Sequence, residues 1–449
     1  MKKCYQLCTA LLSVLLLLSA GAGCSQATSE SSETGLTTIA PIPADRQDFS
    51  IEPTIVWLPD NNYFSIRGIY TGPAGWFGVG QSIVPCQDLY AQAQFYLPDG
   101  QPGWTWQRPR QDGESCYLSA AALDDGTLLA GGRLVIDSDP EIALLTAFNK
   151  QGQMIWETSL DYPDAPNMGL SFTHLTAAPD QQIYAAGWAT LYHESGSRLE
   201  PVLIASYNAQ GQLLWQKRLD FGGTFFSTAI CPAGQTGVFV AVQGYIRNND
   251  GSGSQEQYLI YLDSGGQEVW RQTLSDEKFT YIVNSLAINE QGLLLAACSA
   301  SSREPLPTPI PSPAAFHDRF RSFASAPAAL LCFGQDGEVL WQRYLNGNFG
   351  AGSQQVFCEE NDIYWLVNVH DDVVPPYIFM SIDFRVLSHT VLAVCKDAES
   401  QLKIWQFERN QSGGQLIQRI ENGKAVMIGI EPFIPPPEWK TETFIPGQG

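Results

Sequence analysis

One phrase recurs along this chain and constrains its fold more than any single residue. It stands at Asn149–Leu160 (NKQGQMIWETSL), Asn208–Leu219 (NAQGQLLWQKRL), Asp263–Leu274 (DSGGQEVWRQTL), Gly334–Leu345 (GQDGEVLWQRYL) and, more loosely, Leu97–Arg108 (LPDGQPGWTWQR). Each copy reads as a hairpin: an apolar strand enters a polar, glycine-containing turn and leaves through a strand marked by tryptophan. Ala398–Arg409 (AESQLKIWQFER) keeps the tryptophan without the glycine. The markers Trp106, Trp156, Trp215, Trp270, Trp341 and Trp405 are spaced roughly 50–70 residues apart. Short strands repeating at such a period predict a radially repeated sheet, an all-β propeller.

Before each marker hairpin a second element recurs, best seen in Tyr117–Gly132 (YLSAAALDDGTLLAGG) and Thr173–Gly187 (THLTAAPDQQIYAAG). Small apolar residues alternate, pass a turn and continue into a second strand. The two elements together make a four-stranded antiparallel blade. Gly414–Ile430 reads as an inner pair with no hairpin after it, and Phe49–Asp60 as an unpaired outer strand. Joining them leaves no free sheet edge. The expectation is one propeller over 47–431 closed by its N- and C-terminal strands, with seven blades favoured over six or eight. Residues 299–327 form a Pro-rich insertion ending in an aromatic, basic stretch (Phe316–Phe323), and 432–449 a C-terminal tail.

Residues 1–23 read as an export signal: Lys2 and Lys3 precede an apolar stretch, Ala10–Ala20, too short for a comfortable span. The run Leu18-Ser19-Ala20-Gly21-Ala22-Gly23-Cys24 resembles a bacterial lipoprotein signal, which implies lipidation of Cys24. Ordinary cleavage after Ala22 is the alternative, leaving the chain secreted. Residues 24–46 then form a polar tether without periodicity. The expected location is the extracellular side of the cell membrane, held by the lipid anchor only.

A formal charge of −21 makes nucleic acid and anionic headgroups poor partners. Of ten cysteines, seven lie beyond Cys24, an odd number that excludes complete pairing within the chain. Most sit in apolar strands, as in Leu330-Leu331-Cys332-Phe333, and read as reduced, buried thiols.

The Asp-Gly-x-x-x-Trp phrase after an apolar strand resembles the quinoprotein-type (PQQ-like) propeller repeats over about residues 50–430. Quinone-dependent members of that family pair a quinone with calcium beneath adjacent cysteines. No two cysteines are adjacent here, so the resemblance implies a non-enzymatic relative without a cofactor. His174, His193, His317, His370 and His389 show no metal-ligand spacing, so no metal is expected. The Asp-Gly pairs read as hairpin turns rather than calcium loops. Ser275-Asp276-Glu277-Lys278 matches Ser-x-x-Lys only by chance, and His370-Asp371-Asp372 reads as a polar loop.

Tyr117, Phe172 with His174, Phe225 with Phe226, Tyr281 and Phe349 stand at the starts of successive inner strands. They are candidates for a ligand-binding aromatic ring at the channel mouth; packing between blades is the structural alternative. The expected function is a binding or scaffolding module with a protein or glycan partner at the cell envelope. An envelope enzyme acting on polysaccharide or peptidoglycan fragments is the rival, and would need two facing carboxylates.

Overall fold

The computed structural model describes residues between 54 and 430, apart from 83–89, 161–167, 193–197, 248–252, 303–326, 346–350, 375–384, 407–413 and several shorter stretches. The proposed signal, Cys24, the tether, the C-terminal tail, Cys86 and Phe349 lie outside them, as does most of the insertion. The chain is all-β, with no helix among the described residues. Six sheets of four antiparallel strands follow one another in sequence, each strand hydrogen-bonded to the next. This is β-propeller architecture. The first strands of sheets 1 to 6 are Phe64–Gly72, Glu114–Ala122, Met168–Ala177, Thr224–Pro232, Phe279–Ile288 and Ala351–Glu359. The fourth strands are Pro102–Gln107, Met154–Leu160, Leu213–Leu219, Glu268–Thr273, Val339–Leu345 and Lys403–Gln406. Sheet 3 carries an extra short strand, Arg198–Leu199.

The two chain ends do share a sheet. Gly414–Glu421 pairs antiparallel with Lys424–Ile430, which pairs in parallel with Thr54–Leu58. The chain divides into two compact units, one of residues 51–238, 263–267 and 411–449, the other of 239–262 and 268–410. The second strand of sheet 5 runs on to Ser302, into the segment read as insertion. Asp362–Val374 is a single strand that takes in His370-Asp371-Asp372, correcting their reading as a loop. The ladder steps over Asp371 there, so a bulge lets the strand continue through polar residues.

The repeated phrase has a physical meaning. Gly100, Gly152, Gly211, Gly266 and Gly337 all have positive φ, which closes each hairpin turn. Asn149, Asn208 and Asp263 open their turns and accept, through Oδ1, the backbone N–H groups two and four residues on. The Asx residues are thus occupied by turn geometry. Four residues after each glycine, a tryptophan reaches the next turn. The indoles of Trp104, Trp156, Trp215 and Trp270 donate to the carbonyls of Lys150, Ala209, Ser264 and Gln335 at 2.8–3.0 Å. Their rings lie against Gly152, Gly211, Gly266 and Gly337, where a Cβ would come within 2.5–2.9 Å of the indole. Trp104, four residues after Gly100, is therefore the first marker, and Trp106 is not. The turn after Trp341 has lost its glycine, and there Arg343 Nη2 donates to Ala398 O and Ser400 O.

Within the first unit, one core joins sheets 2 and 3 through Leu145, Phe172, Ile183 and Tyr207. Within the second, another joins sheets 5 and 6 through Leu295, Leu330, Trp365 and Ala393. Six cysteines, Cys116, Cys231, Cys298, Cys332, Cys358 and Cys395, stand as thiols and not in disulfides. Burial pushes Cys332 and Cys358 up to about 12, far from the thiolate that reactivity needs.

Candidate functional site

The first strands carry a second repeat that only the register reveals. In sheets 1, 2, 3, 5 and 6 the ladder steps over one residue: Arg67, Leu118, Thr173, Asn284 and Gln354. Gly414–Glu421 does the same at Gln418. Each is a one-residue β-bulge, which breaks alternation and re-aims the side chains on either side. Gly80, Gly132 and Gly187 on the second strands permit the bend. A Cβ there would lie 1.7–1.9 Å from the carbonyl oxygens of Ser65, Cys116 and Ser171.

The residue after four of these bulges bonds or packs against the neighbouring first strand. Gly68 sits against Ser119, and a Cβ there would be 2.7 Å from Ser119 Cα. Ser119 Oγ accepts the N–H of Leu175 at 2.9 Å. In the second unit Ser285 Oγ accepts the N–H of Val356 at 3.2 Å. His174 Nδ1 lies 3.0 Å from Thr173 Oγ1 and 3.1 Å from Ser227 Oγ. Burial holds His174 down to about 4 from an ordinary 6.5, so it is neutral at physiological pH. Because the folded value is the lower one, stability is complete above pH 6.5 and falls as pH drops towards 4. Melting curves of wild type and His174→Gln across that range should differ in slope, by about 2–3 kcal/mol at the acid end. Parallel curves would mean that His174 is solvated.

The aromatic residues read as a ligand ring divide differently. Tyr117, Phe172 and Phe225 are fully buried, and Tyr281 is 4% exposed. Tyr117 donates to Thr146 Oγ1 at 2.8 Å, Thr146 donates to Glu157, and Arg108 holds both oxygens of that carboxylate. Phe172 meets Tyr207 edge-to-face, Phe225 packs on Phe221, and Tyr281 donates to Asp276 while its hydroxyl lies 2.7 Å from that of Tyr344. These four rings are core, not open platforms, because their strand faces turn into the packing between sheets. Phe226 and His174 are half-buried. Asp276 Oδ1 caps its own loop through the N–H groups of Lys278 and Phe279, consistent with a structural Ser275–Lys278 turn.

In the first unit the bulges of three neighbouring first strands present Arg67, Leu118 and Thr173. Arg67 is exposed and has no ion pair among the described residues; Leu118 and Thr173 are half-buried. In the second unit Asn284 donates to Ser299 Oγ and Ser353 O. Thr173 Oγ1 is engaged with His174, Ser227 and Ala186 O, so the exposed guanidinium of Arg67 is the group here that suits a ligand bearing an acidic group. Aligning the first strands on their facing glycines could have located these positions in the sequence.

No protein-family model matches the chain, and no curated protein matches it in sequence. Among solved structures, a polysaccharide lyase of family PL25, an ulvan lyase, is 10% identical, with a TM-score of 0.47 over 82% of this chain and 89% of that one. An apocarotenoid oxygenase from Synechocystis is 10% identical, with a TM-score of 0.41 over 76% of this chain and 71% of that one. A protein of unknown function from Dyadobacter fermentans is 8% identical, with a TM-score of 0.41 over 75% and 97%.

Proposed function

We propose that this chain is a binding or scaffolding module of the cell envelope, exported and lipid-anchored through Cys24. Its partner is a protein or glycan carrying an acidic group. The reading rests on one observation: within a repeated frame of bulge, facing glycine and strand-to-strand contact, the extruded residue varies from Arg67 to Leu118 to Thr173. A repeated frame with unlike side chains at one position is how a rigid scaffold presents a specific surface. The Asp-Gly-x-x-x-Trp phrase and the tryptophan-on-glycine contact it encodes support kinship with the quinoprotein-type repeats, as a relative that uses the architecture without the cofactor.

The test is a glycan and peptide array probed with the full-length chain and with Arg67→Ala. The exposed Arg67 should contribute specificity rather than stability, so melting stays unchanged while affinity for the acidic ligand falls at least about tenfold. A ligand bound equally well by Arg67→Ala and Leu118→Asp would remove this surface from consideration.

A further inference from the structure

The fourth strands carry their own bulges. The ladder steps over Gly103, Ile155, Leu214, Val269 and Leu340, each just before its tryptophan. Four of these five extruded residues are aliphatic and more than half exposed: Ile155 51%, Leu214 53%, Val269 55% and Leu340 51%. Single exposed aliphatics need no explanation, but recurrence at one structural position does. In the first unit such residues stand on three successive hairpins. Leu97, Met154 and Leu213 are each at least 43% exposed, and the three hairpins are tied together by Trp104 and Trp156.

Charge distinguishes this surface from the rest of the chain. The first unit's fourth strands Pro102–Gln107, Met154–Leu160 and Leu213–Leu219 hold two basic residues (Lys217, Arg218) and one acidic one (Glu157). The whole chain has 46 acidic against 25 basic. Gln153, Gln212 and Gln216 flank the aliphatics, exposed and uncharged, able both to donate and to accept.

We infer that the first unit's patch of Leu97, Met154, Ile155, Leu213 and Leu214 is a self-association surface, occupied by the same patch of a second copy. Two acidic copies repel wherever carboxylates meet, and approach at least cost where aliphatics and amides face their own kind. At 43–53% exposure these five residues amount to about 400 Å², within the range of patches that are often functional. With the glutamine rim the face reaches the order of 800 Å² per partner that a specific interface needs. The bulges interrupt the edge ladder, so the contact is face to face through side chains and not a continued sheet. It is independent of the ligand surface at Arg67.

Sedimentation of the purified full-length chain over a concentration series, at low and at high salt, tests this. Wild type should dimerise, more tightly at high salt as the repulsion of the acidic remainder is screened. Ile155→Glu/Leu214→Glu should raise the dissociation constant at least about tenfold while melting as wild type does. A wild-type chain monomeric up to about 1 mM overturns the inference. So does association that the double variant leaves intact. Binding to vesicles of phosphatidylcholine, lost in the double variant and without self-association, would overturn it in favour of a lipid surface.

Discussion

Replacing Trp156 by alanine is expected to destabilise the protein by about 3–4 kcal/mol, read as a fall in thermal midpoint. The indole covers Gly211 of the following hairpin and donates to Ala209 O at 3.0 Å, so the substitution unclamps two repeats at once. Its ring is partly exposed, which places the packing loss at the lower end for a buried aromatic. Trp156→Phe separates the components. It keeps most of the ring over the glycine and loses only the N–H donor, at about 1 kcal/mol. Equal losses in the two variants would show that the hydrogen bond dominates. No loss in either would show that the hairpins are held by their strands alone, and the tryptophan repeat would need another explanation.

Gly187→Ala should have the larger effect, at least about 4 kcal/mol, or should prevent folded protein from accumulating. The added methyl would lie 1.7 Å from Ser171 O, 2.8 Å from Ser171 C and 3.0 Å from Phe172 Cα. All three are backbone atoms at the bulge, so no side-chain rotation relieves the clash. Gly169→Ala is the matched control in the same sheet, since its methyl would meet Glu141 no closer than 3.6 Å. That variant should change stability by under about 0.5 kcal/mol. A Gly187→Ala protein as stable as the Gly169→Ala control would mean that the bulge at Thr173 is not required, and the proposed presentation of Arg67, Leu118 and Thr173 would lose its frame.

The hairpins were legible because their determinants are local. A glycine with positive φ, an Asx residue opening the turn and a tryptophan four residues on all lie within one stretch of chain. That spacing also corrects the one misassigned marker: Trp104 sits four residues after Gly100, whereas Trp106 lies further along the same strand. The sharing of one sheet by the N-terminal strand and the two C-terminal ones was legible for a similar reason, since each end held an incomplete set of strands. The aromatic ring was not legible. Tyr117, Phe172, Phe225 and Tyr281 have the composition of a binding surface and the same composition as a core.

The amino-acid sequence by itself determined the all-β class, the repeated sheets, the turn geometry and the sharing of one sheet by the two ends. These follow from backbone preference and alternation, which act over a few residues. Only the tertiary structure decided which face of each strand is covered, because that depends on the neighbouring sheet. Packing buried Tyr117, Phe172, Phe225 and Tyr281, and a one-residue slip in each first strand brought Arg67, Leu118 and Thr173 forward. A slip of one residue reverses every later side chain on a strand, and it is set by contact with the facing strand, at Gly80, Gly132 and Gly187.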